Sequence, residues 1–305
     1  MKRFLRHIAL FLPVAVAGYL VLLLLSGGSR LLPTVNYRLG NYGHLFSRVR
    51  EASQTHDVDV LFLGSSHSYR TFDPRFFEAH GYKAFNLGSS NQTPVQTLPL
   101  LQDYLPVLNP RLVVFEVHPD IMSNDGVEGA VDLLSNVPVS GNVSRMALKF
   151  RNLKVLNTWI YAFMSDHLLH RLDTYQEPAA LEGFEYFPGG FVAPLIDTAY
   201  HSEPLPPKEI LIQDLQRKAL TECLQLLQNR HIPYILVEVP ASNALRESYT
   251  NHPQFEQEMQ TFGPYYYLPP MPVPDSLYYF DSDHLSRAGQ EVANRLMLDL
   301  ISSQL

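Results

Sequence analysis

The chain has 305 residues, 46% of them hydrophobic, which is enough for one large domain or two small ones with a substantial core and excludes a disordered chain as the starting reading. Its formal net charge is -7, and Lys and Arg are scattered apart from the N-terminus. That argues against nucleic acid as a partner, because binding phosphates requires a concentrated basic surface.

The N-terminus reads as a membrane segment. The basic "MKRFLRH" precedes "IALFLPVAVAGYLVLLLL", a run of roughly 18 uncharged, mainly apolar residues with no polar stripe. It is read as an uncleaved signal anchor rather than a cleaved signal peptide, because "LSGGSRLLP" offers only a poor small-x-small site. Basic residues ahead of the run place the N-terminus in the cytoplasm and export the chain after about Arg30. Residues 1–30 are therefore expected to be anchor, and 31–56 a tether with a short helix near Leu45 to Ala52.

From Asp57 the pattern changes. "DVDVLFLG" is a continuous apolar run ending at Gly64, as expected of a parallel strand buried on both faces. "KAFNLG" reads as a second strand ending at Gly88, "TPVQTLPLLQDYLPVL" as a helix with internal prolines, and "RLVVFEV" as a third strand. Strands separated by crossovers indicate an α/β fold with a parallel sheet, whose function gathers at the C-terminal strand ends.

Residues 120–207 are irregular and read as an insertion over the sheet edge, a lid: "SNDGVEGA", a helical stretch, then "EGFEYFPGGFVAP". Regular structure resumes with a helix carrying Ile212, Leu215, Ala219, Cys223 and Leu226 at helical spacing, and "PYILVEV" is a fourth buried strand. The single cysteine, Cys223, reads as a small core residue. An aromatic, proline-rich loop leads to "DSDHLSRAGQEVANRLMLDLI", whose later part is a closing amphipathic helix.

Three features carry chemistry. Gly64-Ser65-Ser66 ends the first strand, where a serine can present its hydroxyl at the sheet edge; the alternative is an ordinary Ser/Gly turn. Asp281 and His284, three residues apart, can share one edge of a pocket, the carboxylate holding the imidazole; the alternative is helix capping by Asp283 or Ser286 with His284 exposed. In "NLGSSNQTP", Gly88 can aim a backbone N–H at the same pocket and Asn91 and Gln92 can add side-chain donors, unless they only form a polar loop with Thr93 as cap.

In this order the blocks resemble the SGNH, or GDSL-type, hydrolase superfamily, over Asp57 to Ile301 with the middle insertion outside the resemblance. "LGSSHSYRTFDP" with "NLGSSNQTP" looks like its exported, membrane-anchored branch, near the DltD-like and alginate-acetylation-type proteins. The resemblance implies a three-layer α/β/α sandwich with a mainly parallel, flavodoxin-like sheet over residues 57–305. It makes Ser66 the nucleophile, His284 the base and Asp281 its partner, with the N–H groups of Ser66 and Gly88 as oxyanion donors. Two departures stand out. Ser65 replaces the usual Asp, and the third block, "EVHPDIMSND", has no cleanly fitting Asn: His118 is of the wrong type and Asn124 lies further along.

His67, though adjacent to Ser66, is expected to diverge from it, and Arg70 and Asp73 to pair or cap locally, with an anionic acceptor as the alternative for Arg70. His118 and Asp120 lack the companions of a metal site, and no metal or cofactor is expected. Tyr265, Tyr266, Tyr267, Tyr278, Tyr279 and Phe280 read as packing residues ahead of a sugar-stacking surface. "NVS" at Asn142 is a glycosylation sequon only in a cell that glycosylates. The expectation is a membrane-anchored, extracytoplasmic serine esterase or O-acyltransferase acting on an envelope or exported glycan. The competing class is a non-catalytic scaffold of the same fold, partnering a membrane acyltransferase or polysaccharide machinery.

Overall fold

A computed structural model describes residues 1–27 and 34–305. The expected export boundary at Arg30 and most of "LSGGSRLLP" lie outside these residues. The chain forms two compact units, Met1–Leu39 with Ala130–Gln176, and Gly40–Gly129 with Glu177–Leu305.

The first unit is helical. Lys2–Ser26 is one helix, and its residues Lys2–Leu25 are long and apolar enough to cross a membrane. It packs on the helix Leu153–Leu169: Leu23 and Tyr161 are buried together with Val35, and the Tyr19 hydroxyl donates to Asn157 Oδ1 at 2.6 Å.

The second unit is built on a sheet. Its strands are β1 (Val60–Leu63), β2 (Ala84–Asn86) and β3 (Leu112–Glu116), followed by a small antiparallel sheet of β4 (Ala180–Leu181), β5 (Phe184–Phe187) and β6 (Phe191–Pro194). Then come β7 (Tyr234–Glu238) and β8 (Tyr265–Tyr267). The main sheet has the order β2-β1-β3-β7-β8 and is parallel throughout. Helices flank it, giving the α/β architecture expected from alternating strands and crossovers.

Successive side chains alternate between two covered faces of the sheet, which explains why β1, β3 and β7 are apolar runs up to their C-terminal ends, where Glu116 and Glu238 stand. Val60, Phe62, Leu112, Val114, Ile235 and Val237 form one core with Ala293, Met297 and Ile301 of the closing helix Arg287–Gln304. Leu61, Leu63, Val113, Phe115 and Leu236 point to the other face and are equally buried. Helices Pro94–Leu108 and Asp214–Asn229 pack on each other, and Cys223 is buried in the latter. Pro94 sits at the first helical position, and Thr93 with Gln96 forms a capping box, so the loop after β2 ends as its sequence dictates.

Residues read as tether include the helix Leu45–Ala52, which buries Leu45, Phe46, Arg48, Val49 and Ala52 in the sheet-containing unit. The 120–207 segment is divided between the two units, Ala130–Gln176 belonging to the first and the residues up to Gly129 and from Glu177 to the second. Its β5–β6 hairpin turn meets the β2 edge, where Asn86 N–H donates to the Gly189 carbonyl at 2.8 Å.

Candidate active site

Register explains why the site forms where it does. Leu63 pairs with Phe115, so the next residues, Gly64 and Glu116, emerge side by side at the C-terminal edge. Gly64 has φ +134°, and a Cβ there would lie 2.4 Å from Glu116 Oε2, so the turn requires glycine on both counts. Ser65 follows, fully buried. Its N–H and hydroxyl donate to Glu116 Oε2 at 2.8 and 3.0 Å, and its Oγ accepts the His67 N–H as N-cap of the short helix Ser66–Tyr69. Ser65 is thereby a structural residue.

Ser66, the first helical residue, faces a cavity of about 290 Å³. Its Oγ is 2.8 Å from His284 Nε2, and His284 Nδ1 is 2.9 Å from both oxygens of Asp281. Asp281 Oδ1 also accepts the backbone N–H groups of Asp283 and His284, fixing the turn that carries the imidazole. The three residues, spanning more than two hundred positions, thus form one hydrogen-bonded chain from hydroxyl through imidazole to carboxylate, the geometry that a serine nucleophile, its base and an orienting acid require.

Around it lies a second set of charges, His67, Asp283 and Glu116, which the sequence does not bring together. His67 Nε2 is 3.2 Å from Asp283 Oδ2, and its Nδ1 is 2.8 Å from Ser65 Oγ. The Ser65 proton goes to Glu116, so His67 donates through both nitrogens, which makes it an imidazolium. Burial works against that charge, but the Asp283 hydrogen bond and the Glu116 charge outweigh it and raise the pKa above the ordinary imidazole value. Asp283 also reaches His284 Nδ1 at 3.2 Å. Burial disfavours its charge too, yet hydrogen bonds from His284 and His67 hold its carboxyl far below the usual range. Burial raises the pKa of Glu116, opposed by His67 and Ser65.

His118, after β3, stacks on His67 at 4.0 Å between ring centroids, and His67 stacks on His284 at 5.1 Å. Burial and the neighbouring His67 push the His118 pKa well below the ordinary value, so it is neutral, and its Nδ1 accepts the Asp120 N–H. His67, Asp283 and His284 also bring one possible ligand atom each within 4.8 Å of one another; these atoms are already tied in the hydrogen bonds described.

Several expectations change. The Gly88 N–H donates to Asn86 Oδ1 at 3.1 Å and is not offered to the cavity. Gln92 is buried, with Oε1 accepting from Ser89 and Nε2 donating to Thr97, so its amide is spent within the loop. Asn91, at φ +51°, does line the cavity, and so does Asn124, whose Oδ1 accepts the Gly126 N–H at 2.8 Å. Asn124 thus reaches the cavity from beyond the expected third-block position. The Ser66 N–H, at the first position of a helical turn, has no protein acceptor among the described residues.

Asp283 does not cap the closing helix; Ser286 does, accepting the Gly289 N–H at 3.3 Å. Asp73 caps locally through Arg75, but Arg70 is not its partner. Arg70 lies in the cavity wall against the rings of Phe184 and Phe280. Asp120 pairs with Lys208 Nζ at 2.8 Å. Of the aromatic run, Tyr265 bonds to Glu238 and Tyr279 is buried.

No family model and no curated protein sequence matches the chain. Among solved structures it is similar to a protein assigned as an acylhydrolase from Bacteroides fragilis, at TM-score 0.42 and 14% identity over 88% of this chain and 99% of that one. It is also similar to a GDSL-like lipase from Bacteroides thetaiotaomicron, at TM-score 0.32 and 16% identity over 87% and 100%. At such scores the site rests on its own geometry.

Proposed function

We propose that this chain is a membrane-anchored serine esterase or O-acyltransferase of the SGNH type, acting outside the cytoplasm on an envelope or exported glycan. The observation that carries the reading is the hydrogen-bonded chain from Ser66 Oγ through His284 to Asp281, at 2.8 and 2.9 Å. The order of the Ser66 and Asp-x-x-His blocks supports the family, and the basic-then-apolar N-terminus supports the anchor and its orientation.

In the proposed reaction His284 Nε2 takes the Ser66 proton as Oγ bonds to the acyl carbon. Ser66, Asn91 and Asn124 line the cavity in which the oxyanion forms, and the Ser66 N–H with the two amide groups are its candidate donors. The tetrahedral intermediate expels the alcohol, which takes the proton from His284. Water, or an acceptor hydroxyl, then attacks the acyl-serine with His284 again as base, releasing acid or the transferred ester. Asp281 and Asp283 stabilise the imidazolium in both halves.

The test is hydrolysis of 4-nitrophenyl acetate by the full chain in detergent. Ser66→Ala and His284→Ala are each expected to lower kcat/KM by at least about 1,000-fold, as removal of a triad member does. Hydrolysis unaffected by either change rules out the assignment. An inactive wild type that acetylates a glycan only when a membrane acyltransferase is supplied selects the transferase.

A further inference from the structure

Arg70 is where the cavity holds a charge it does not satisfy. The side chain is 6% exposed, and its Nε and Nη2 have no hydrogen-bond partner among the described residues. The nearest carboxylate, Asp281, is 4.0 Å from Nη1, and its oxygens are already engaged by His284 Nδ1 and two backbone N–H groups. Phe184 and Phe280, with centroids 4.8 and 5.0 Å from the guanidinium carbon, hold the plane in place but accept no ordinary hydrogen bond. A buried cation without an acceptor is costly, and the cost is recovered when an anion arrives.

The position is also fixed relative to the nucleophile. The Arg70 N–H donates to the Ser66 carbonyl, closing one helical turn, so the two side chains leave the same face and both line the cavity. The remaining wall includes Tyr42, Ser90, Asn91 and Asn124, groups suited to hydroxyls.

We propose that Arg70 forms an oxyanion subsite beside Ser66, which takes a carboxylate or phosphate carried by the substrate within one sugar residue of the ester. This deepens the acyl-transfer reading of the same cavity and rests on it for the role of Ser66. The guanidinium matches planar, bidentate recognition of either anion.

Competition against 4-nitrophenyl acetate by glucuronate, glucose 6-phosphate and glucose tests it, with thermal stabilisation of the full chain by the same three sugars as a readout independent of catalysis. At least one anionic sugar is expected to inhibit and stabilise at about 10- to 100-fold lower concentration than glucose. Which of the two anions does so separates a carboxylate from a phosphate source. Arg70→Gln is expected to collapse that ratio to near one, and Arg70→Lys to restore part of it. A role confined to packing or to holding Asp281 would lower activity while leaving the ratio unchanged, and that result overturns the proposal, as does equal behaviour of all three sugars in the wild type. Should the variants fail to fold, the wild-type comparison alone decides. Stabilisation by an anionic sugar without ester hydrolysis would sink the esterase reading and keep the subsite; hydrolysis without discrimination would do the reverse.

Discussion

Two carboxylates face one imidazole nitrogen, so removing either alone is expected to be buffered by the other. Asp281→Asn keeps an oxygen for the backbone N–H groups of Asp283 and His284 but removes the charge 2.9 Å from His284 Nδ1. A charge-assisted hydrogen bond of about 1.5–3 kcal/mol corresponds to roughly 10- to 150-fold in rate. Asp283 Oδ1, at 3.2 Å, takes over part of that role, so the expected loss in kcat/KM on 4-nitrophenyl acetate is about 10- to 30-fold. Asp283→Asn alone should cost less, about 10-fold or under, because Asp281 keeps both contacts. The double variant has no carboxylate at Nδ1, and its loss should exceed the product of the single losses by about 10-fold. Steady-state kinetics on all four proteins, with melting temperatures as folding controls, make the cycle. A double variant no worse than Asp281→Asn, or strictly multiplicative losses, would refute the sharing of His284 by two acids.

Other consequences follow from the same geometry. Gly64→Ala forces a side chain into φ +134° and against Glu116, so it should cost more than about 1–2 kcal/mol and lower the denaturation midpoint; an unchanged midpoint contradicts the close approach. His67 has a raised folded-state pKa, so its contribution to stability is complete below the unfolded value of about 6.5 and is lost as pH rises through the folded one. The melting-temperature gap between wild type and His67→Gln should therefore be wider at pH 6 than at pH 9, and the opposite trend rejects the imidazolium assignment. The full chain should stay with membranes through an alkaline carbonate wash and leave only with detergent; recovery in the wash counts against the anchor.

Strands β1, β2, β3 and β7 were legible because each is an apolar run bounded by Gly, Pro or a polar turn, a local signal. The segment containing β8 reads as an aromatic loop, since "YYY" has no alternation and its strand character comes from pairing with β7. The β4–β6 sheet was hidden by its Gly and Pro content. At the site, Ser66, Asp281 and His284 stand in compact motifs whose spacing survives in the folded chain. Glu116 and Asn124 do not, because their place against Ser65 or at the cavity depends on which strand ends lie adjacent, and the register of β1 on β3 is not written in either segment alone. Gly88 and Gln92 show the converse: well placed along the chain, they are consumed by Asn86, Ser89 and Thr97 once the loop closes.

The central claim is that Ser66, and not its neighbour, is an activated nucleophile. Full-length protein treated with a fluorophosphonate and digested for mass spectrometry should carry a single adduct on Ser66, lost in Ser66→Ala and strongly reduced in His284→Ala. An unmodified wild type, or an adduct on Ser65, would contradict the account.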